Sequence, residues 1–130
     1  MEGDTIEQWV AHIRGPSGSP YEDGSFELAI KCSSGYPLVP PSIMFRTKVF
    51  HPNVNYQSGE ICLDILKSDW SPAWSLQAAC RAIIALLSEP NADSPLNCDA
   101  GNLIRNGDTR GFLNLARFYT FEFAHSSAKS

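Results

Sequence analysis

One thiol and one carboxamide stand nine positions apart in the segment H-P-N-V-N-Y-Q-S-G-E-I-C-L-D-I-L, which runs from His51 to Leu66 and sets Asn53 and Cys62 on either side of a turn-forming stretch. A thiol held next to a fixed carboxamide in a polar, glycine-bounded loop suits acyl chemistry, with the thiolate as the attacking species. His51 offers a second use of the same sulfur. An imidazole beside a thiol raises its thiolate fraction, which would make Cys62 and His51 the dyad of a thiol hydrolase. Such an enzyme would release free acid from a peptide thioester at a rate that collapses in His51→Ala. Against it, His51 precedes Pro52 in a turn, and no Asn or Asp elsewhere is marked as its orienting partner.

The other three cysteines have plainer readings. Cys32 ends an alternating segment, Cys80 sits on an apolar helical stripe and Cys98 follows a turn, so each reads as a small core or near-surface residue. No C-x-x-C pair occurs, which argues against a zinc knuckle or a redox dithiol, and no metal or bound cofactor is expected. A core of this size needs no disulfide framework, and reduced thiols are expected.

These residues must be positioned by one domain. The chain has 130 residues, 43% hydrophobic and 18% charged, enough for a single modest core spanning 1–130. Net charge is −4, with Lys and Arg scattered, so a nucleic-acid backbone or an anionic membrane is a poor partner and a protein surface a better one. No run approaches the ~18 apolar residues of a membrane span. The acidic start, Met1 to Asp4, does not resemble a secretory or transit peptide. The chain reads as soluble and intracellular.

Thr5 to Ile13 alternates, with Trp9, Ala11 and Ile13 on one face, and stops at the Gly/Pro/Ser run 15–20. Ser25 to Cys32 alternates again, with Phe26, Leu28 and Ile30 inside. Pro37, Pro40 and Pro41 stiffen the linker that delivers Ile43, Met44 and Phe45 as a third strand of a meander. From Thr47 to Ser75 no period is sustained, yet Val49, Phe50, Ile61, Leu63, Ile65, Leu66, Trp70 and Trp74 are too apolar for a solvated loop. An ordered loop carrying a thiol is the physical signature of a site. Ser75 caps a central helix bearing Leu76, Ala79, Cys80, Ile83, Ile84 and Leu87, ended by Pro90. Asp99 can cap a short helix that stops at Gly107, and Asp108 a last one bearing Phe112, Leu115, Phe118 and Tyr119. The tail 125–130 has no pattern and is expected to fray. Strands, site loop and helices in that order predict an α+β fold.

Five motifs carry a family resemblance: Y-P-x-x-P-P-x-I-x-F (Tyr36 to Phe45), H-P-N (His51 to Asn53), G-E-I-C-L-D-I-L (Gly59 to Leu66), W-S-P-A (Trp70 to Ala73) and D-S-P-L-N (Asp93 to Asn97). In order and spacing they resemble ubiquitin-conjugating enzymes over about nine-tenths of the chain, from roughly Asp4 to Phe123. The stretches from Trp70 to Leu87 and from Asp93 to Asp108 are similar to the peroxisome-associated branch of that family.

The resemblance implies a UBC-like fold in which Cys62 takes ubiquitin's terminal carboxyl group as a thioester and passes it to an acceptor. Asn53 then either donates its amide N–H to the oxyanion formed when an amine attacks or braces the site loop. The spacing from Asn53 to Cys62 is one residue longer than in many members. At the gate after the central helix, where many members carry an acid, this chain has Ser94, which is no base near neutral pH. It is assigned to positioning or desolvating the acceptor, with Asp93 as electrostatic help. Asp64 either orients an acceptor or caps its own turn. His51 and Pro52 are structural in this motif. ATP is consumed upstream by the activating enzyme.

By the same resemblance Phe45 and Ser71-Pro72-Ala73 form the contact for a RING-type ubiquitin ligase, although Phe45 reads equally as a core strand residue. The peroxisomal likeness implies an import receptor as acceptor, a membrane-bound anchor protein as recruiter, and work at the cytosolic face of the peroxisomal membrane. Members normally begin with an amphipathic helix, and the match here starts roughly one helix late. The N-terminal helix is therefore expected to be missing, leaving apolar sheet surface uncovered and admitting a third reading, a ubiquitin-binding module that does not transfer.

Overall fold

The structure is a computed structural model that describes residues 7–63, 66–67, 69–91 and 95–124. Three strands, β1 (Glu7–Arg14), β2 (Ser25–Cys32) and β3 (Ser42–Phe45), form an antiparallel meander in the order β1-β2-β3. The register follows the alternation. Ile13 faces Phe26, Leu28 faces both Ala11 and Phe45, and Ile30 faces Trp9 and Ile43. Cross-strand apolar pairs therefore share the core face, where Phe26, Leu28, Ile30, Ile43 and Phe45 are all buried. Trp9 departs from the expected pattern. It shares that face yet is 54% exposed, near the start of the edge strand β1.

The β1–β2 connection is more than a linker. Gly15 approaches the Tyr21 carbonyl so closely that an added Cβ would stand 1.7 Å from its oxygen, which requires glycine there. This turns Tyr21 fully inward, where its hydroxyl donates to the Phe50 carbonyl at 2.6 Å and its ring lies 5.8 Å from His51. Burial holds the Tyr21 hydroxyl well above the ordinary phenol pKa, so it remains a donor at any physiological pH. The start of the site loop is thus tied to the sheet.

Three helices follow: α1 (Leu76–Ser88), α2 (Cys98–Arg105) and α3 (Thr109–Phe123). Ser75 caps α1 through its side chain, which accepts from the Ala78 N–H, and Ala79, Ile83 and Leu87 form its buried stripe. Burying Ile83 and Leu87 contributes ~1.5–3 kcal/mol each, so truncating either would loosen the helix from the core. The cap of α2 is Asn97, whose side chain accepts from Ala100, and not Asp99, which lies in the first turn. Asp108 caps α3 as expected. The buried stripe of α3 is Phe112, Ala116 and Thr120, with Tyr119 half-buried, whereas Leu115 and Phe118 face solvent. The small Ala116 and Thr120 lie inward because the Thr120 hydroxyl back-bonds to the Ala116 carbonyl and Gly24 packs against its methyl.

Candidate active site

The His-Pro-Asn turn is held at every residue. His51 is fully buried; its Nδ1 accepts from the Asn53 N–H at 3.0 Å, so Nε2 carries the proton and donates to the Leu86 carbonyl at 2.8 Å. Burial lowers its pKa to about 4, only partly opposed by the bond to Leu86, and the ring is neutral at pH 7. The Pro52 carbonyl accepts from the N–H groups of Leu96 and Asn97 at 2.8 and 3.1 Å. The Asn53 carboxamide is buried and pairs with the backbone of Asn91, Nδ2 donating to its carbonyl at 2.7 Å and Oδ1 accepting from its N–H at 2.8 Å. One turn thereby joins the end of α1, the segment after it and the entrance to α2.

From this turn the chain makes a short hairpin. Asn55 Oδ1 accepts from the N–H groups of Gln57 and Ser58, an Asx turn that reverses the chain. Val54 then pairs with Ile61, and the Cys62 N–H donates to the Asn53 carbonyl at 2.8 Å. Gly59 has φ +82° and lies against β3, where an added Cβ would stand 1.9 Å from the Phe45 oxygen. Its carbonyl accepts from the Phe45 N–H, and Glu60 bridges to Met44. The thiol-bearing end of the loop is therefore a continuation of the sheet.

Cys62 is half-buried on this hairpin, and its neighbour Asn53 is braced. The Cys62/His51 dyad does not form, since both imidazole nitrogens are engaged by backbone groups and the ring is sealed from solvent. All four cysteines are free. Cys32 is buried in β2, where burial and then the charge of Glu7 raise its pKa; burial also raises that of Cys80; Cys98 is exposed. Among the described residues no group of three or more His, Cys, Asp or Glu is placed to hold a metal ion. Asp64, Asp93 and Ser94 lie outside the described residues, as does the tail 125–130.

Phe45 is corrected to a core residue. Strand alternation turns it inward with Ile43, and it is 4% exposed with its ring edge-on to Phe26. The loop after Trp70 behaves differently. The Trp70 indole donates to the Pro37 carbonyl at 2.8 Å and its ring meets Tyr36, fixing the base of the loop, while Pro72, Ala73 and Trp74 are exposed and Ser71 half-buried. Leu38 and Val39, on the linker that holds Trp70, are exposed as well. Leu86, Asn91, Leu96 and Asn97 were not foreseen as parts of the site. Each acts on this turn through its backbone, so its side-chain type gave no signal of that role; Pro90, which ends α1 just before Asn91, and the motif from Asp93 to Asn97 marked the place.

A half-buried thiol on a sheet-anchored hairpin, with the motif histidine closed off as a base, suits an acyl carrier on an α+β frame. The family model for ubiquitin-conjugating enzymes matches residues 1–120, and the chain belongs to that family, whose members are transferases. It is 61% identical over 115 residues to Protein PEROXIN-4 of Arabidopsis thaliana, covering 88% of this chain and 73% of that protein. It is 63% identical over 113 residues to the ubiquitin-conjugating enzyme E2 pex4 of Dictyostelium discoideum, covering 87% and 76%. Its fold superposes with a TM-score of 0.86 and 39% identity on the H. polymorpha ubiquitin conjugating enzyme Pex4p, solved in complex with the soluble domain of Pex22p, covering 92% of this chain and 82% of that one. Among the described residues no helix is long and apolar enough to cross a membrane.

Proposed function

We propose that Cys62 receives the C-terminal acyl group of ubiquitin as a thioester from an activating enzyme, which consumes the ATP, and passes it to an amine or thiol of a protein acceptor. The observation that carries this reading is the engagement of both His51 nitrogens by backbone: a carrier must resist water, and a free imidazole beside the sulfur would promote hydrolysis. In transfer, the acceptor nucleophile adds to the thioester carbonyl, the negative charge collects on oxygen, and the C–S bond breaks with the sulfur leaving as thiolate.

Asn53 acts mainly as the brace that fixes the hairpin, since its carboxamide is already paired at both ends. Ser94 and Asp93 shape the acceptor gate and Asp64 orients the acceptor. Ser71, Pro72 and Ala73 meet a RING-type ligase, a role supported by the exposure of Pro72 and Ala73 on a loop fixed by Trp70. Similarity to Peroxin-4 proteins supports work in ubiquitination of a peroxisomal import receptor. The partner in the H. polymorpha complex supports recruitment by a membrane anchor to the cytosolic face of the peroxisome.

Incubation of the chain with ubiquitin, activating enzyme and ATP tests the core of this reading. A thiol-sensitive adduct is expected, converted to a thiol-resistant one in Cys62→Ser. Ubiquitin binding without any adduct would make the chain a binding module instead.

A further inference from the structure

The residues from Leu86 to Asn91 have two sides. One side holds the site, through the Leu86 carbonyl on His51 and the Asn91 backbone on the Asn53 carboxamide. The other side, through Leu87, Ser88 and Pro90, walls a cleft of about 390 Å³ that opens between the β1–β2 turn and the start of α3. Buried Leu87 and Phe112 and half-buried Ile104 form its floor, while Ser17, Ser88, Thr109 and Leu113 stand exposed around its mouth. The carrier reading gives this cleft no task.

We propose that the cleft binds a small, uncharged, mainly apolar molecule with one hydrogen-bonding end, and that its occupancy is passed through residues 86–91 to the Asn53 carboxamide. The size falls within the ~300–1,000 Å³ of small-molecule sites. No Lys, Arg, His, Asp or Glu occurs among the described residues that line it, so a charged ligand would lose hydration with no counter-charge to offset the loss. The hydroxyls of Ser17, Ser88 and Thr109 at the mouth suit a single polar group.

Transmission follows from shared atoms. The Leu86 carbonyl accepts both from His51 and from the Glu89 N–H that closes α1, so pressure on Leu87 and Ser88 displaces an acceptor of the site turn. Pro90, with its fixed φ, connects the cleft wall stiffly to Asn91. Close-packed interiors transmit such shifts.

Titration of the intact chain with N-phenyl-1-naphthylamine, a neutral fluorescent probe, tests both halves. Expected are saturable one-to-one binding, at least tenfold weaker binding in Ser88→Phe and in Leu113→Trp, each of which fills the mouth, and unchanged binding in Arg81→Phe, which adds an exposed ring elsewhere on α1. Circular dichroism melts check that the variants fold, and the second filling variant serves if the first does not. The NMR signals of the Asn53 side-chain amide should shift with the same midpoint. Absence of saturable binding, equal binding in a folded cleft-filling variant, or an Asn53 amide that stays put at saturation overturns the proposal.

Discussion

The side chain of Asn53 and the backbone of Asn91, thirty-eight residues apart in sequence, form a closed two-bond pair of 2.7 and 2.8 Å. A carboxamide used in this way is a strut between the thiol loop and the segment leaving α1. Asn53→Ala should therefore lower unfolding stability by ~1–3 kcal/mol, the cost of disrupting buried hydrogen bonds, as well as slowing transfer. Urea denaturation decides the matter: a variant slow in transfer but unchanged in stability would return Asn53 to a purely oxyanion-binding role.

The buried His51 makes stability depend on pH in a defined direction. Its pKa falls from 6.5 to about 4 on folding, so between those values the unfolded chain binds the extra proton. The contribution is fully present above pH 6.5, declines as pH falls toward 4, and amounts to a few kcal/mol across that window. His51→Gln keeps a donor for Leu86 without a titrating ring and should flatten this part of the profile. Denaturation midpoints of both proteins from pH 4 to 7.5 provide the check.

Position 45 and position 73 should separate stability from partner binding. Phe45→Ala opens a cavity against Phe26 and should cost ~3–5 kcal/mol. Ala73→Asp, on the exposed loop, should leave melting and thioester formation unchanged while reducing ligase-stimulated discharge by ~tenfold, as loss of a contact residue does. Loading and discharge assays run in parallel measure both.

The four free thiols should differ in reactivity by exposure. Cys98 and Cys62 are expected to alkylate first, Cys80 more slowly, and Cys32 only on unfolding, since burial both shields the last two and raises their pKa. Mass mapping after timed iodoacetamide treatment gives the order.

Strand β2 and helix α1 were legible in the sequence because each has a strong local signal: strict alternation from Ser25 to Cys32, and a Ser75 cap followed by a helical stripe ended by Pro90. The motif run around Asn53 and Cys62 marked the site. What escaped was set by tertiary neighbours. Tyr21 follows a Gly/Pro/Ser turn, where composition argues for exposure, and its inward place is set by the close pass of Gly15 together with its bond to the distant Phe50 carbonyl. Helix α3 has more aromatic positions than it can bury, so periodicity did not single out Ala116 and Thr120 as its inner stripe. Asn97 and Asp99 are both good caps, and the choice of Asn97 came from Pro52, whose carbonyl fixes the entrance to α2.

The lock between Gly59 and the Phe45 backbone separates the hairpin into two parts. After it Glu60 bridges to Met44, Ile61 pairs with Val54, and the Cys62 N–H meets the Asn53 carbonyl. At the tip of the hairpin the Tyr56 ring rests against Tyr119 and under the Lys48 ammonium. A change of length on this outer bend should therefore leave the sulfur's coordinates relative to its strut untouched.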